Sequence, residues 1–108
     1  MASRANITID QGTDWSTTIN IQDENGDPFD FSLYTAKSQM RKHFLSSNSL
    51  TFNVTLASGA ITLSLGHSDA ANTMPGRYVY DVELIHNSSN LVSRIVEGTV
   101  TLTGQITK

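Results

Sequence analysis

A chain of 108 residues, 38% of them hydrophobic, is long enough for one packed core and too short for two, so we predict a single domain over residues 1–108. The net charge of -3 is small and the seven Lys and Arg residues are scattered, which argues against nucleic acid as a partner. The absence of cysteine excludes a disulfide framework, and no apolar run approaches the roughly 20 residues that cross a bilayer, so we expect no membrane contact and synthesis in the cytoplasm.

The first third of the chain has the period-two alternation of β-strands. A short strand is predicted near Asn6–Ile9, and a longer one runs from Trp15 to Ile21 with Trp15, Ile19 and Ile21 on the same side. The dipeptide Asn25-Gly26 then predicts a hairpin with a type I′ turn, because both residues tolerate positive φ. The return arm passes through Phe29 and Phe31.

A further strand is predicted from Tyr34 to Lys42, and it leads into the least patterned segment of the chain. This segment runs from Arg41 to Ser49 and ends in a cluster of small polar residues, which is typical of a loop. We expect the loop either to be mobile or to contact a partner, and the candidate contact residues are its first four, Arg41, Lys42, His43 and Phe44.

A second hairpin follows the loop. Phe52 and Val54 alternate with polar residues, residues 57–59 form the turn, and Ile61 and Leu63 lie on the return strand. Ser68 is then expected to cap a single helical turn within residues 67–73. Pro75-Gly76 ends that turn and begins the next strand.

The strand after Pro75-Gly76 places Tyr78, Tyr80 and Val82 on one face, which we assign to the core. A Tyr close behind a one-turn crossover looks like the corner of immunoglobulin-like sandwiches, where a buried hydroxyl bonds to upstream backbone. Either Tyr78 or Tyr80 could make that bond, or both could simply fill the core. In each case the role is architectural.

The last strand runs from Leu91 to Thr103 after a turn at residues 87–90. Its apolar residues change parity near Val96, and we predict a β-bulge at Gly98 to account for the change. About seven or eight short strands with no long helical segment indicate an all-β fold. We predict an immunoglobulin-like, two-sheet antiparallel β-sandwich.

These assignments define two sets of structural residues. The predicted core contains Trp15, Ile19, Ile21, Phe52, Val54, Ile61, Leu63, Tyr78, Tyr80 and Val82. The predicted turns contain Asn25, Gly26, Pro75 and Gly76.

Two patterns invite a metal-binding interpretation. Asp23, Asn25 and Asp27 alternate like the first ligands of an EF-hand, but Pro28 and Tyr34 stand where that loop needs Gly and Glu. The three His residues are far apart and none has a second ligand at zinc-site spacing. We therefore predict a solvated hairpin tip, no metal site and no cofactor.

The sequence contains no catalytic motif that we recognise. There is no Gly-rich phosphate loop, nucleophile elbow or Ser-x-x-Lys motif. Asp81 and Glu83 share a strand face, as two acid and base groups could, but such a pair is ordinary on a solvated strand. We predict that the protein is not an enzyme and has no catalytic residues.

Several segments together resemble small virion proteins of tailed bacteriophages. They are Gly12-x-x-Trp15, Ile19-x-Ile21-x-Asp23-x-x-Gly26-x-Pro28-x-Asp30, Tyr34-x-Ala36-x-Ser38-x-Met40-Arg41, Gly76-x-Tyr78-x-Tyr80-Asp81-Val82-Glu83 and Gly98-x-Val100-x-Leu102. The resemblance covers the chain from about Ile7 onward. It implies an immunoglobulin-like domain of a tail or baseplate, located in the virion, present in several symmetric copies and in contact with other virion structural proteins.

Two alternatives remain open from the sequence. A capsid decoration protein would have the same fold and would differ in copy number and in binding to the shell. A carbohydrate-binding or adhesion module would need an exposed aromatic platform, to which Tyr34 and Phe44 could contribute.

Overall fold

The computed structural model of this chain describes residues 3–43, 45–46 and 48–106. The described part forms eight strands and one short helix, so the all-β prediction is confirmed. The elements are β1 (Ser3–Arg4), β2 (Ile7–Asp10), β3 (Trp15–Asn20), β4 (Tyr34–Arg41), β5 (Leu50–Ala57), β6 (Ala60–Leu65), α1 (His67–Ala71), β7 (Gly76–His86) and β8 (Val92–Thr103).

The strands form two sheets that share one strand. Sheet I contains β1 and β2 beside β8, followed by β7, β4 and the first residues of β5. Sheet II contains the rest of β5, then β6, with β3 at its edge. Because β5 pairs with β4 through Leu50–Phe52 and with β6 through Asn53–Ala57, hydrogen bonding continues from one sheet into the other.

The N-terminal strands run parallel to the last strand, unlike the antiparallel pairing predicted for every strand. Ile7 lies opposite Val100 and Ile9 lies opposite Leu102 in this parallel ladder. Parallel neighbours need a long connection, and here the whole chain between β2 and β8 provides it. The remaining pairs are antiparallel, so the fold is a β-sandwich with a mixed sheet I.

The core lies between the sheets. Of the predicted core residues, Ile21, Phe52, Ile61, Leu63, Tyr80 and Val82 are buried. The others are half-buried and pack against this core, and they are Trp15, Ile19, Val54 and Tyr78. Alternation along each strand therefore indicates the inward face correctly, since side chains two residues apart share a face.

The predicted bulge exists but lies three residues before Gly98. Val82 pairs with Val96 while Glu83 pairs with Arg94, which leaves Ile95 as the extra residue of β8. Gly98 has another role: a Cβ at this position would collide with the carbonyl oxygen of Ala5. The absence of a side chain therefore lets the N-terminal segment lie directly on β8.

The turn at Asn25-Gly26 is not of type I′. Gly26 has a φ of +83°, but Asn25 is not among the residues with positive φ. Instead, the Asp23 carboxylate accepts hydrogen bonds from the backbone N–H groups of Asn25 and Asp27, at 2.9 and 3.0 Å. The local Asp side chain thus replaces the second positive φ as the feature that fixes the turn.

The predicted helical turn is present as α1, but Ser68 does not cap it. Gly66 is the N-cap residue and provides no side-chain hydrogen bond. Asp14, from the loop between β2 and β3, accepts a hydrogen bond of 2.8 Å from the backbone N–H of His67. Pro75 follows the helix, and β7 begins at Gly76 as predicted.

Both predicted tyrosine hydroxyls bond to upstream backbone. The Tyr78 hydroxyl donates to the carbonyl of Met74, four residues earlier, which confirms the tyrosine-corner prediction. The Tyr80 hydroxyl donates to the carbonyl of Ala5 at 2.6 Å and so ties β7 to the N-terminal segment. The two residues therefore fix different crossings of the chain.

Tyr80 should ionise at a higher pH than the ordinary tyrosine pKa of 10.0. It is 4% exposed, and burial raises its pKa from 10.0 to about 12. Because the folded state favours the protonated hydroxyl, the contribution of Tyr80 to the free energy of unfolding is complete below pH 10 and disappears as the pH rises towards 12. We expect the ultraviolet absorbance of tyrosinate to show a late phase that Tyr80→Phe removes. Ionisation of all tyrosines near the ordinary value, with circular dichroism still native, would contradict this expectation.

Candidate interaction surfaces

The loop predicted to contact a partner is closed by its own side chains. The Arg41 guanidinium donates to the carbonyl of Ser46 at 2.7 Å and to the side-chain oxygen of Gln39 at 3.0 Å. The backbones of His43 and Ser46 form a tight turn through a 2.9 Å hydrogen bond. Arg41 therefore holds the shape of the loop through two of its five N–H donors.

The other three predicted contact residues differ in their surroundings. The Lys42 ammonium lies 5.0 Å from the centre of the Tyr78 ring, in a cation–π contact, and the residue is exposed. His43 is exposed, and Phe44 lies outside the described residues. Leu45, which is 76% exposed in the same turn, is an apolar surface residue that the sequence pattern did not indicate.

A shallow depression separates this loop from the turn that precedes β7. It encloses about 560 Å³ and is lined by residues that include Lys42, Ser46, Met74 and Tyr78. Met74 is 77% exposed at its rim. The depression thus has the Lys42 ammonium in its lining and the apolar Met74 side chain at its rim, and it lies at one end of the sandwich.

The outer face of sheet I carries a network of ion pairs. Arg94 lies 3.1 Å from Asp81 and 3.4 Å from Glu97, and Arg4 lies 3.5 Å from the other oxygen of Glu97. The Asp81 carboxylate raises the pKa of Arg94. Glu83 lies 4.0 Å from Lys37, so both carboxylates noted on β7 have cationic neighbours. Charge on this face is balanced and solvated.

Sheet II has the opposite character. Neither β3, β5 nor β6 contains an Asp, Glu, Lys or Arg, and none occurs anywhere between Lys42 and Asp69. The outward residues of these strands form a grid of hydroxyl, amide and methyl groups, which we call the uncharged face. Its members are Ser16, Thr18, Asn20, Asn53, Thr55, Ala57, Ala60, Thr62 and Ser64.

The uncharged face is ordered in rows across the three strands. Thr18, Thr62 and Thr55 lie side by side in one row, and the hydroxyls of Thr18 and Thr62 are hydrogen-bonded at 3.1 Å. Ser16, Ser64 and Asn53 form the row beside it. Such a surface can hydrogen-bond without the desolvation cost of charged groups.

The positions of the His, Asp, Glu and aromatic side chains bear on the metal-binding and sugar-binding interpretations. Among residues 3–43, 45–46 and 48–106, no three His, Asp or Glu side chains are grouped as metal ligands. His67 and Asp14 form an isolated pair at 2.9 Å, and these hydrogen bonds lower the pKa of Asp14. Tyr34 is half-buried against the core, and its ring centre lies 5.7 Å from that of Phe29 and 5.1 Å from that of His86.

Comparisons with known proteins bear on the fold alone. No protein-family model and no curated protein matches the sequence. The crystal structure of Listeria monocytogenes InlP superposes with a TM-score of 0.50 at 15% identity, over 94% of this chain and 28% of the InlP chain. The Lin-41 filamin domain superposes with a TM-score of 0.49 at 17% identity, over 89% of this chain and 82% of that chain.

The strand order and the core between the two sheets define the architecture as a β-sandwich. This chain spans little more than a quarter of the InlP chain, so the similarity concerns one part of that protein. In the described part of the chain, no helix has the length and apolarity needed to span a membrane. Many unrelated functions share this architecture, so function has to be argued from the surfaces.

Proposed function

We propose that the protein is a non-enzymatic structural subunit of a bacteriophage virion, in the tail or baseplate, that acts through contacts with other virion proteins. The observation that carries this proposal is the separation of charge between the two sheets. Every ion pair on strand side chains lies on sheet I, while sheet II is free of ionisable side chains. Protein contacts favour surfaces from which charged residues are depleted.

The sequence resemblance is the support for a place in a virion. The segments that resemble phage virion proteins include the strand and turn residues of β3, β4 and β7, which position both faces of the sandwich. A rigid sandwich with one solvated sheet and one uncharged sheet suits a subunit that is soluble alone and is packed on one side after assembly. The several copies expected in a symmetric particle would each present the same face.

The proposal is tested by quantitative peptide mass spectrometry on gradient-purified particles from an infected culture that carries this gene. A constant small number of copies per particle, in proportion to baseplate or tail-tip proteins, is the expected result. A number that scales with the major capsid protein would favour capsid decoration instead. If no peptide of this protein purifies with particles, the virion proposal is wrong.

A further inference from the structure

The free edge of sheet II is formed by β3. This strand pairs with β6 on one side, and it ends the order of strands in the sheet. Ser16, Thr18 and Asn20 are exposed, and β3 has no Lys, Pro or bulge. Those features normally protect an edge strand from pairing with another chain. An edge without them is suited to accept a strand.

The register identifies which backbone groups of β3 are free. The backbone N–H of Ile21 donates to the carbonyl of Gly59 at 2.9 Å, and Ile19 lies opposite Ile61. Hydrogen-bonded positions alternate along an antiparallel strand, so residues 15, 17 and 19 bond to β6. The N–H and C=O groups of Ser16, Thr18 and Asn20 therefore point away from the sheet.

A second copy of β3 can meet these groups in one symmetric register. If two β3 strands run antiparallel about an axis through Thr18, Thr18 lies opposite its own copy and Ser16 lies opposite Asn20. All three positions have outward backbone groups, which gives about six backbone hydrogen bonds. The same register keeps the inward side chains of both copies, such as Trp15 and Ile19, on the core side of the joined sheet.

The charge distribution favours a second copy as the occupant. A symmetric contact places each side chain near its own equivalent, so a charge close to the axis would face a like charge. β3 has no ionisable side chain, and its neighbour β6 has none either. Two Thr18 side chains meeting at the axis can instead share a hydrogen bond, as Thr18 already does with Thr62.

We propose that two copies of this protein associate through their β3 edges, antiparallel and centred on Thr18, so that their two sheets II form one continuous sheet. The inference rests on the proposed function in treating sheet II as a contact surface, and it deepens that function by naming the partner at its edge. The mode of contact is strand addition between identical chains.

Single cysteines provide the first test, because the chain has no cysteine of its own. In the proposed register the two Thr18 Cα atoms are about 5.5 Å apart, within the range of about 4.4–6.8 Å that a disulfide bridges. We expect Thr18→Cys to form a covalent dimer under mild oxidation. Ser16→Cys is the matched control: its two copies would lie about 13 Å apart, and it should cross-link only when mixed with Asn20→Cys.

Sedimentation velocity provides the second test, without a cross-link. The unmodified protein should shift from monomer to dimer as its concentration rises. Thr18→Lys should weaken this association roughly tenfold or more, since it places two like charges at the axis. Thr55→Lys adds the same charge to an exposed position in the same row, away from the edge, and should leave the association unchanged.

The outcomes separate this inference from the virion proposal. A protein that stays monomeric at every concentration, or that cross-links equally through Thr18→Cys and Ser16→Cys, would overturn the β3 dimer even if it is abundant in particles. Weakening by Thr55→Lys as large as that by Thr18→Lys would also overturn it, because the face and not the edge would then be the contact. A β3 dimer in solution from a protein absent from particles would refute only the virion role.

Discussion

Replacement of Gly98 by Ala is expected to destabilise the protein by about 3 kcal/mol, by forcing the N-terminal segment off sheet I. A Cβ on Gly98 would collide with the carbonyl of Ala5, and the neighbouring atom is backbone that cannot rotate away. Three hydrogen bonds hold Ala5 and Asn6 in place. The Ala5 carbonyl accepts from the Tyr80 hydroxyl, and the Ala5 N–H donates to the Glu97 carbonyl. The Asn6 side-chain oxygen accepts from the Thr99 N–H. All three are expected to lengthen or break together. Urea unfolding, followed by circular dichroism, measures the change in the free energy of unfolding.

The matched control for this substitution is Gly104→Ala. Gly104 follows the same strand, and a Cβ there would make an ordinary contact of 3.7 Å with Pro75. Its stability should stay within about 0.5 kcal/mol of the unmodified protein. Hydrogen exchange adds a local measurement, since the amides of Ile7 and Ile9 should lose protection in Gly98→Ala alone. Equal unfolding midpoints for the two variants would show that the close approach of Ala5 contributes no stability.

Replacement of Leu63 by Ala is expected to cost about 3–4 kcal/mol of unfolding free energy. Leu63 is 0% exposed near the centre of β6 and belongs to the buried core cluster. The loss combines the transfer energy of the removed atoms with the cavity that remains. Thermal or urea unfolding measures it, with unchanged circular dichroism as a check on the fold.

Leu33→Ala removes the same atoms from a residue that is 59% exposed. Its cost should be below about 0.5 kcal/mol, because little apolar area is lost from contact with the core. The difference between the two Leu variants measures burial at β6 independently of side-chain chemistry. If both variants cost the same, the inward face of sheet II has been misassigned.

Alternation along the chain was sufficient to predict most strands and their inward faces. The patterns around Trp15, Phe52, Ile61 and Tyr78 identified β3, β5, β6 and β7, because alternating side chains report burial directly. The same patterns do not report which strand lies beside which. For that reason the parallel placement of β2 on β8 and the division of β5 between two sheets could not be predicted.

Local details were predicted where one residue decides them, and missed where a distant residue does. The hydroxyl of Tyr78 bonds within four residues of itself, and this bond was anticipated. The cap of α1 comes from Asp14, 53 residues away, and nothing near His67 indicates it. The predicted bulge position at Gly98 is wrong by three residues, because a change of parity locates the extra residue of a strand only to within a few positions.

The candidate surfaces were less predictable than the fold. Arg41 and Lys42 contact Ser46 and Tyr78 within the chain, which the sequence does not indicate, and their contact with a partner stays a prediction. The lack of charge between Lys42 and Asp69 is visible in the sequence. The sequence does not show that the uncharged segment and the uncharged β3 lie in the same sheet. The fold shows this, because β3 pairs with β6 and β6 pairs with β5.

The parallel arrangement of β2 and β8 has a mechanical consequence. A force that pulls β2 towards its first residue and β8 towards its last acts along both strands in opposite directions, so the strands are sheared past each other. The hydrogen bonds of the whole β2–β8 ladder, which extends from Ile7 opposite Val100 to Asp10 opposite Thr103, then carry the load together, whereas the strands of a hairpin pulled at its open end separate one bond at a time. Resistance to such a force is set by the rate of unfolding and not by equilibrium stability. The parallel placement of β2 on β8 is therefore an arrangement in which such a pull loads the hydrogen bonds of the ladder in shear.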